Sequence, residues 1–244
     1  MSKLLIVRDL SKTFPGQVAL DHFDVEIAAG TTHALVGQNG SGKSTFIKIL
    51  AGYHQPDPGG TATIAGEALR LGDGRAAQEA GIRFVHQDLG LVDVLSSVEN
   101  ISMGVGYSTT RWGRIDWKAD TARAAAALAG LGFTDIDVTA PVGTLAPAQK
   151  TAVAIARALH DWEAGAHLLV LDEPTASLPG ADVERLFTAI RRLKERGVAI
   201  LYVSHHLDEV FEIGDEVSVL RDGQRVTTVD TASVDHEALI ELMI

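Results

Sequence analysis

Gly37-Gln38-Asn39-Gly40-Ser41-Gly42-Lys43-Ser44-Thr45 follows the apolar run His33-Ala34-Leu35-Val36 and precedes Phe46-Ile47-Lys48-Ile49-Leu50. The first run predicts a buried strand and the second a helix. Strand, glycine-rich loop and helix together turn the pattern G-x-x-x-x-G-K-[ST] from a string match into a phosphate site. Gly37, Gly40 and Gly42 let the backbone turn tightly and approach an anion with no Cβ in the way. Successive N–H groups of Gln38, Asn39, Ser41 and Thr45 then face the ligand, and the helix adds the positive end of its dipole. Lys43 brings a point charge to the β- and γ-phosphates, and the Ser44 hydroxyl is placed to bind Mg²⁺. An ordinary strand-to-helix turn needs one glycine, not three with Lys-Ser in register.

The other strand ends carry polar residues. Ile82-Arg83-Phe84-Val85 leads to Gln87, Leu168-Leu169-Val170-Leu171 to Asp172-Glu173, and Val198–Val203 to His205. Open parallel sheets bind ligands at the carboxyl ends of their strands, which puts these residues on one side of the sheet. Asp172 would hold Mg²⁺ directly or through water. Glu173 would take a proton from, or orient, a water facing the γ-phosphate. A strand-end Asp-Glu pair that only caps a turn is the plainer alternative. Gln87 can reach both metal and water, although an exposed glutamine alone means little. His205 can donate to a phosphate. His205-His206 lacks the spacing and further ligands of a zinc site, and His236-Glu237 lacks a second histidine at metalloprotease spacing.

The remaining pattern supplies a frame. Residues 3–9 and 19–27 predict strands with a turn over Lys12–Gly16, in which Phe14 reads from spacing alone as a packing residue. Residues 90–160 predict a helical insertion: Ser96 and Glu99 form a capping box, Trp117–Leu131 is a helix, and Pro147 opens another. Residues 1–89 and 161–244 predict the α/β frame, with a helix over 182–196, a hairpin around Asp222-Gly223 and a last helix over 235–243.

Composition narrows the function. With 21 basic and 32 acidic residues the formal net charge is −11, which speaks against general nucleic-acid binding. Hydrophobic residues are 46%, enough for a full core. The absence of cysteine excludes disulfides and fits a reducing compartment. No run reaches the length of a membrane span and the first residues show no signal-peptide pattern, so a membrane role is expected to be peripheral, through another protein.

Taken together, Phe14, residues 37–45, Gln87, the helical insertion, Leu145-Ala146-Pro147-Ala148-Gln149, Leu171–Thr175 and His205 resemble the nucleotide-binding subunit of ABC transporters over essentially the whole chain. The resemblance implies an α/β, P-loop NTPase (RecA-like) core with an antiparallel β subdomain and an inserted helical subdomain. It implies ATP and Mg²⁺ as ligands, Phe14 against adenine, Gln87 in the Q-loop, Glu173 as catalytic glutamate and His205 as switch histidine. Lys12–Leu20, Ser97–Asn100 and Ser204–Phe211 resemble the monosaccharide-importer branch, in which two cassettes are usually fused; this chain resembles a first or a separate one. The implied partners are a second cassette, membrane permease subunits and, indirectly, a periplasmic or extracellular solute-binding protein, with no nucleic acid, at the cytoplasmic face of the membrane. An ATPase acting on nucleic acid or ribosomes, and an ATP sensor without turnover, are the alternatives. Two departures stand out. The family signature Leu-Ser-Gly-Gly-Gln is Leu145-Ala146-Pro147-Ala148-Gln149 here, expected to lose a hydroxyl at Ala146 and an N–H at Pro147 and to gain an obstructing Cβ at Ala148. In the D-loop, Pro179 follows Ala176-Ser177-Leu178 where an aspartate is usual.

Overall fold

The computed structural model describes residues 2–160, 168–176 and 178–244. A long hairpin, β1 (Lys3–Phe14) and β2 (Gln17–Ala28), leads through β3 (Thr32–Val36) into α1 (Lys43–Leu50). Then come β4 (Thr61–Ile64), β5 (Glu67–Ala68), α2 (Gly74–Glu79) and β6 (Ile82–Val85). Three helices follow: α3 (Ser97–Val105), α4 (Trp117–Leu131) and α5 (Pro147–Ala158). The rest is β7 (Leu168–Asp172), α6 (Gly180–Glu195), β8 (Ala199–Val203), α7 (Leu207–Ile213), β9 (Glu216–Arg221), β10 (Gln224–Asp230) and α8 (His236–Met243).

β3 lies inside a six-stranded sheet of order β10-β9-β3-β8-β7-β6, parallel to β8 and β9. All five of its residues are buried, as the apolar run predicted. Its one polar ring, His33, is held inside by a 2.8 Å contact between Nε2 and Ser218 Oγ. α1 buries Phe46, Ile47, Ile49 and Leu50, and Phe46 meets Phe23 of β2 at a 5.0 Å ring separation. Burial of each such side chain contributes about 1.5–3 kcal/mol, so the helix is held by packing. A second sheet, β2-β1-β4-β5, pairs its strands antiparallel. It is the antiparallel part of the expected fold.

The turn expected over Lys12–Gly16 shrinks to Pro15-Gly16. Phe14 pairs with Gln17, so residues 12–14 still belong to β1, and Gly16 takes φ +82° to close the hairpin. α2 was not predicted. It is a single polar turn and a half with only Ala77 buried, started by Asp73, whose carboxylate accepts from the N–H groups of Arg75 and Ala76. Asp222 (φ +50°) and Gly223 (φ +80°) make the predicted hairpin turn between β9 and β10.

The chain forms two compact units: Met1–Phe84, Gly165–Glu173 and Lys194–Ile244 in one, Val85–Ala164 and Pro174–Leu193 in the other. In the helical unit the capping box is present, with Glu99 N–H donating to Ser96 Oγ (3.2 Å) and Ser96 N–H to Glu99 Oε2 (2.8 Å). The Ser96 hydroxyl also donates to Glu99 Oε2 (2.7 Å), and this bond together with that from the Ser96 N–H holds the Glu99 carboxyl below its usual range. α4 spans the predicted residues, from an Asp116 cap to Gly132 at φ +95°. α6 begins two residues earlier than predicted and belongs mostly to this unit. Arg185 explains why: it bonds Asp135 at 2.6 Å and lies 4.5 Å over the Phe133 ring.

Candidate functional site

In the first unit, Phe14, Gln17, Ala19, Asn39, Gly40, Gly42, Lys43, Ser44, Thr45 and Glu173 line a cavity of about 390 Å³. Three segments converge there: the β1–β2 turn, the loop after β3 and the end of β7. The loop glycines act in different ways. A Cβ on Gly37 would stand 2.1 Å from the Leu220 carbonyl oxygen, and one on Gly42 would stand 2.4 Å from that of Ala19. These two let the loop sit hard against β9 and β2. Gly40, at φ +85°, meets nothing within 4 Å and leaves the cavity side open for an anion.

Gln38, Asn39 and Ser44 are exposed, while Ser41 and Lys43 are 5% and 6% exposed. Lys43 Nζ donates to the carbonyls of Gly37 (2.6 Å) and Gln38 (3.0 Å). Burial pushes the Lys43 pKa down, against the opposing pull of the Glu173 and Asp172 carboxylates. The Ser41 hydroxyl is buried with no hydrogen-bond partner among the described residues. An orphan hydroxyl, a buried ammonium bound to carbonyls, an exposed Ser44 hydroxyl and a helix N-terminus are what a polyphosphate with its Mg²⁺ would satisfy, so the residues present fit both.

Asp172 is the last residue of β7, in register with Val203. The next residue bends sharply: Glu173 sits at φ +48°, a conformation uncommon for a side-chain-bearing residue. Its N–H still donates to the Val203 carbonyl at 2.9 Å. That anchor puts Glu173 Oε1 at 3.2 Å from Nδ1 of His205. Strain of this kind, about 1–3 kcal/mol, collects at functional sites. The His205 and His206 rings lie 4.1 Å apart, tilted by 38°, and no metal-binding group of three His, Cys, Asp or Glu occurs among the described residues.

Phe14 is half-buried at the cavity wall, edge-on to His54 at 5.2 Å, with Lys12 Nζ 5.1 Å from its ring centre. Gln17 and Ala19, which sequence reasoning passed over, line the same wall because the short turn folds them back beside Phe14. Gln87 is exposed and belongs to the helical unit, as do residues 145–149. There the obstruction expected at Ala148 is absent. Its methyl is fully buried, because that position faces inward on the first turn of α5. Ala146 and Pro147 are exposed and lack a hydroxyl and an N–H respectively. Gln149 is engaged within its own unit: Oε1 accepts from Ala146 N–H at 3.0 Å, and Nε2 donates to Asp135 at 3.1 Å. Of the D-loop stretch, Ser177 lies outside the described residues; the Pro179 carbonyl accepts from Asp182 N–H at 2.8 Å and starts α6.

A family profile described as ABC transporter matches residues 20–176. The chain is similar to ribose import ATP-binding protein RbsA 2 of Burkholderia cenocepacia, 46% identical over 244 residues, which is 100% of this chain and 47% of that protein. It is also similar to RbsA 2 of Rubrobacter xylanophilus, 43% identical over 238 residues, 98% of this chain and 45% of that one. The chain spans about half the length of the curated relatives it matches. Among solved structures, the ADP conformation of MJ1267, an ATP-binding cassette of an ABC transporter, superposes with a TM-score of 0.83 at 23% identity, covering 99% of this chain and 98% of that one. A likeness at that identity speaks for the fold.

Proposed function

This chain belongs to the ABC transporter family, and from that premise we propose that it is an ATP-hydrolysing cassette that powers import of a small solute, a monosaccharide of the ribose class, through partner membrane subunits. The observation that carries the reading is the cavity itself. It gathers the loop lysine, Ser44, Glu173 and one aromatic ring around a single space, in a chain whose relatives are named for ribose import. In this reading Phe14 packs against adenine, residues 37–45 hold the phosphates, and Ser41 and Lys43 bond them. Ser44 and Asp172 would hold Mg²⁺. When bound, Mg²⁺ supplies Lewis-acid charge neutralisation at the phosphates. Glu173 orients water and accepts its proton, and His205 steadies Glu173 and donates toward the γ-phosphate.

The proposed partners are a second cassette, fused or separate, permease subunits, and indirectly a solute-binding protein outside the membrane. No helix among the described residues is long and apolar enough to cross a membrane, so the proposed place is peripheral, on the cytoplasmic face. The helical unit offers exposed Met103, Trp112 and Trp117 as apolar surface for the permease. The transporter reconstituted in proteoliposomes tests the reading. ATP hydrolysis is expected to rise when ribose-class sugar and its binding protein are supplied together; a rate indifferent to them, with ATP still bound, overturns the sugar assignment.

The signature departures give a further expectation. With a hydroxyl missing at Ala146 and an N–H at Pro147, α5 offers a partner's phosphate a weak site. The isolated chain is therefore expected to bind ATP but hydrolyse it slowly. Ala146→Ser with Pro147→Gly is expected to raise its ATPase rate, with a steeper dependence on protein concentration. Ala148 is left alone, since Gly there would remove a buried methyl and cost about 1 kcal/mol of helix propensity. Fast, cooperative hydrolysis by the unmodified isolated chain would overturn this asymmetry.

A further inference from the structure

Glu209 lies in the first turn of α7, just after the histidine pair. Its Oε2 accepts from two hydroxyls, Tyr202 Oη at 2.7 Å and Ser204 Oγ at 2.8 Å. Ser204 Oγ in turn accepts from the N–H of His206 at 3.0 Å. His206 is the N-cap of α7, yet its side chain makes no capping bond. In an ordinary capping box a Glu at the third helical position reaches the N-cap N–H directly, as Glu99 does at Ser96. Here Glu209 holds the third position and the Ser204 hydroxyl stands between carboxylate and N–H. Tyr202 and Ser204 are 0% and 1% exposed, so water cannot replace the carboxylate as their acceptor.

His205 is the residue enclosed by this arrangement. The residue before it is bonded to Glu209, the residue after it is bonded to Ser204, and its own Nδ1 is 3.2 Å from Glu173 Oε1. We propose that Glu209 is a positioning residue: acting through Ser204, with Tyr202 tying it to β8, it fixes the backbone at 204–206 and holds His205 beside Glu173. This role rests on the reading of Glu173 and His205 as the hydrolytic pair.

The test uses the reconstituted transporter with Glu209→Ala, Glu209→Gln, Ser204→Ala and His205→Ala in parallel. It reads ATP Kd, kcat, KM and the imidazole ¹⁵N shifts of His205. Glu209→Ala is expected to lower kcat by about 10–100-fold, the range over which small misplacements of a reacting group act. ATP Kd stays within about twofold of the parent, and the His205 shifts move. Glu209→Gln, whose amide oxygen can still accept both hydroxyls, is expected to restore most of kcat and the parent shifts. Ser204→Ala, which deletes one hydroxyl from an otherwise intact fold, is expected to lower kcat in the same direction. Unchanged kcat in both Glu209→Ala and Ser204→Ala, while His205→Ala abolishes turnover, overturns the positioning role and leaves the hydrolytic reading standing. Parallel loss of kcat and ATP affinity that Gln does not rescue also overturns it, as plain structural damage. Full turnover in His205→Ala overturns the hydrolytic reading and this role with it.

Discussion

Glu173→Gln is expected to leave ATP binding intact and reduce turnover of the assembled transporter by about 10²–10⁴-fold, the span that general base catalysis contributes. The substitution keeps volume and hydrogen bonding. An amide oxygen can still accept from His205 Nδ1, 3.2 Å away, and the backbone bond to Val203 is untouched. What is lost is the ability to take a proton. Binding has no reason to weaken, because Glu173 contributes negative charge beside Lys43 and the phosphates are themselves negative. The split between retained affinity and lost turnover separates a base from a merely structural carboxylate. Stopped-flow phosphate release reads it; near-parental turnover means that the proton goes elsewhere.

Lys43→Ala is expected to weaken MgATP binding by about 10²-fold or more. A hydrogen bond to a charged group contributes about 1.5–3 kcal/mol, and this ammonium would face two phosphates. The fold is expected to survive. Lys43 is 6% exposed, and its burial already disfavours the charge. Alanine relieves that cost. The carbonyls of Gly37 and Gln38 lose a donor; Gln38 is exposed, and removing the lysine side chain from the cavity wall leaves room for water beside the buried Gly37. A melting temperature close to that of the parent, read by circular dichroism, confirms that lost affinity is not lost structure.

The parts of this molecule that were legible from sequence are those fixed by short-range rules. A glycine-rich loop between an apolar strand and a helix can be read because steric and dipole requirements act within nine residues. The same holds for the Ser96–Glu99 capping box and the Asp222-Gly223 turn. What could not be read depends on pairing and packing that no short motif encodes. Phe14 looked like part of a turn because the pairing that extends β1 comes from Gln17. α6 followed a core strand in sequence, yet Arg185 ties it to Asp135, 50 residues earlier. Ala148 looked exposed to a partner in a linear motif; the phase of α5 turns it inward. The Tyr202–Ser204–Glu209 network matches no short pattern, since a serine interposed in a capping box shifts the expected spacing. Only the Ser204 hydroxyl just ahead of the histidine pair hinted at it.

If the cavity between Phe14 and Glu173 is an ATP site organised by Lys43, the ligand and that one side chain must depend on each other. Calorimetric titration of MgATP into the unmodified chain and into Lys43→Ala, side by side, tests it most directly. Saturable one-to-one binding by the unmodified chain is expected, with heats at background level in the variant over the same concentrations. Equal affinity in the two, or no binding by the unmodified chain, would contradict it.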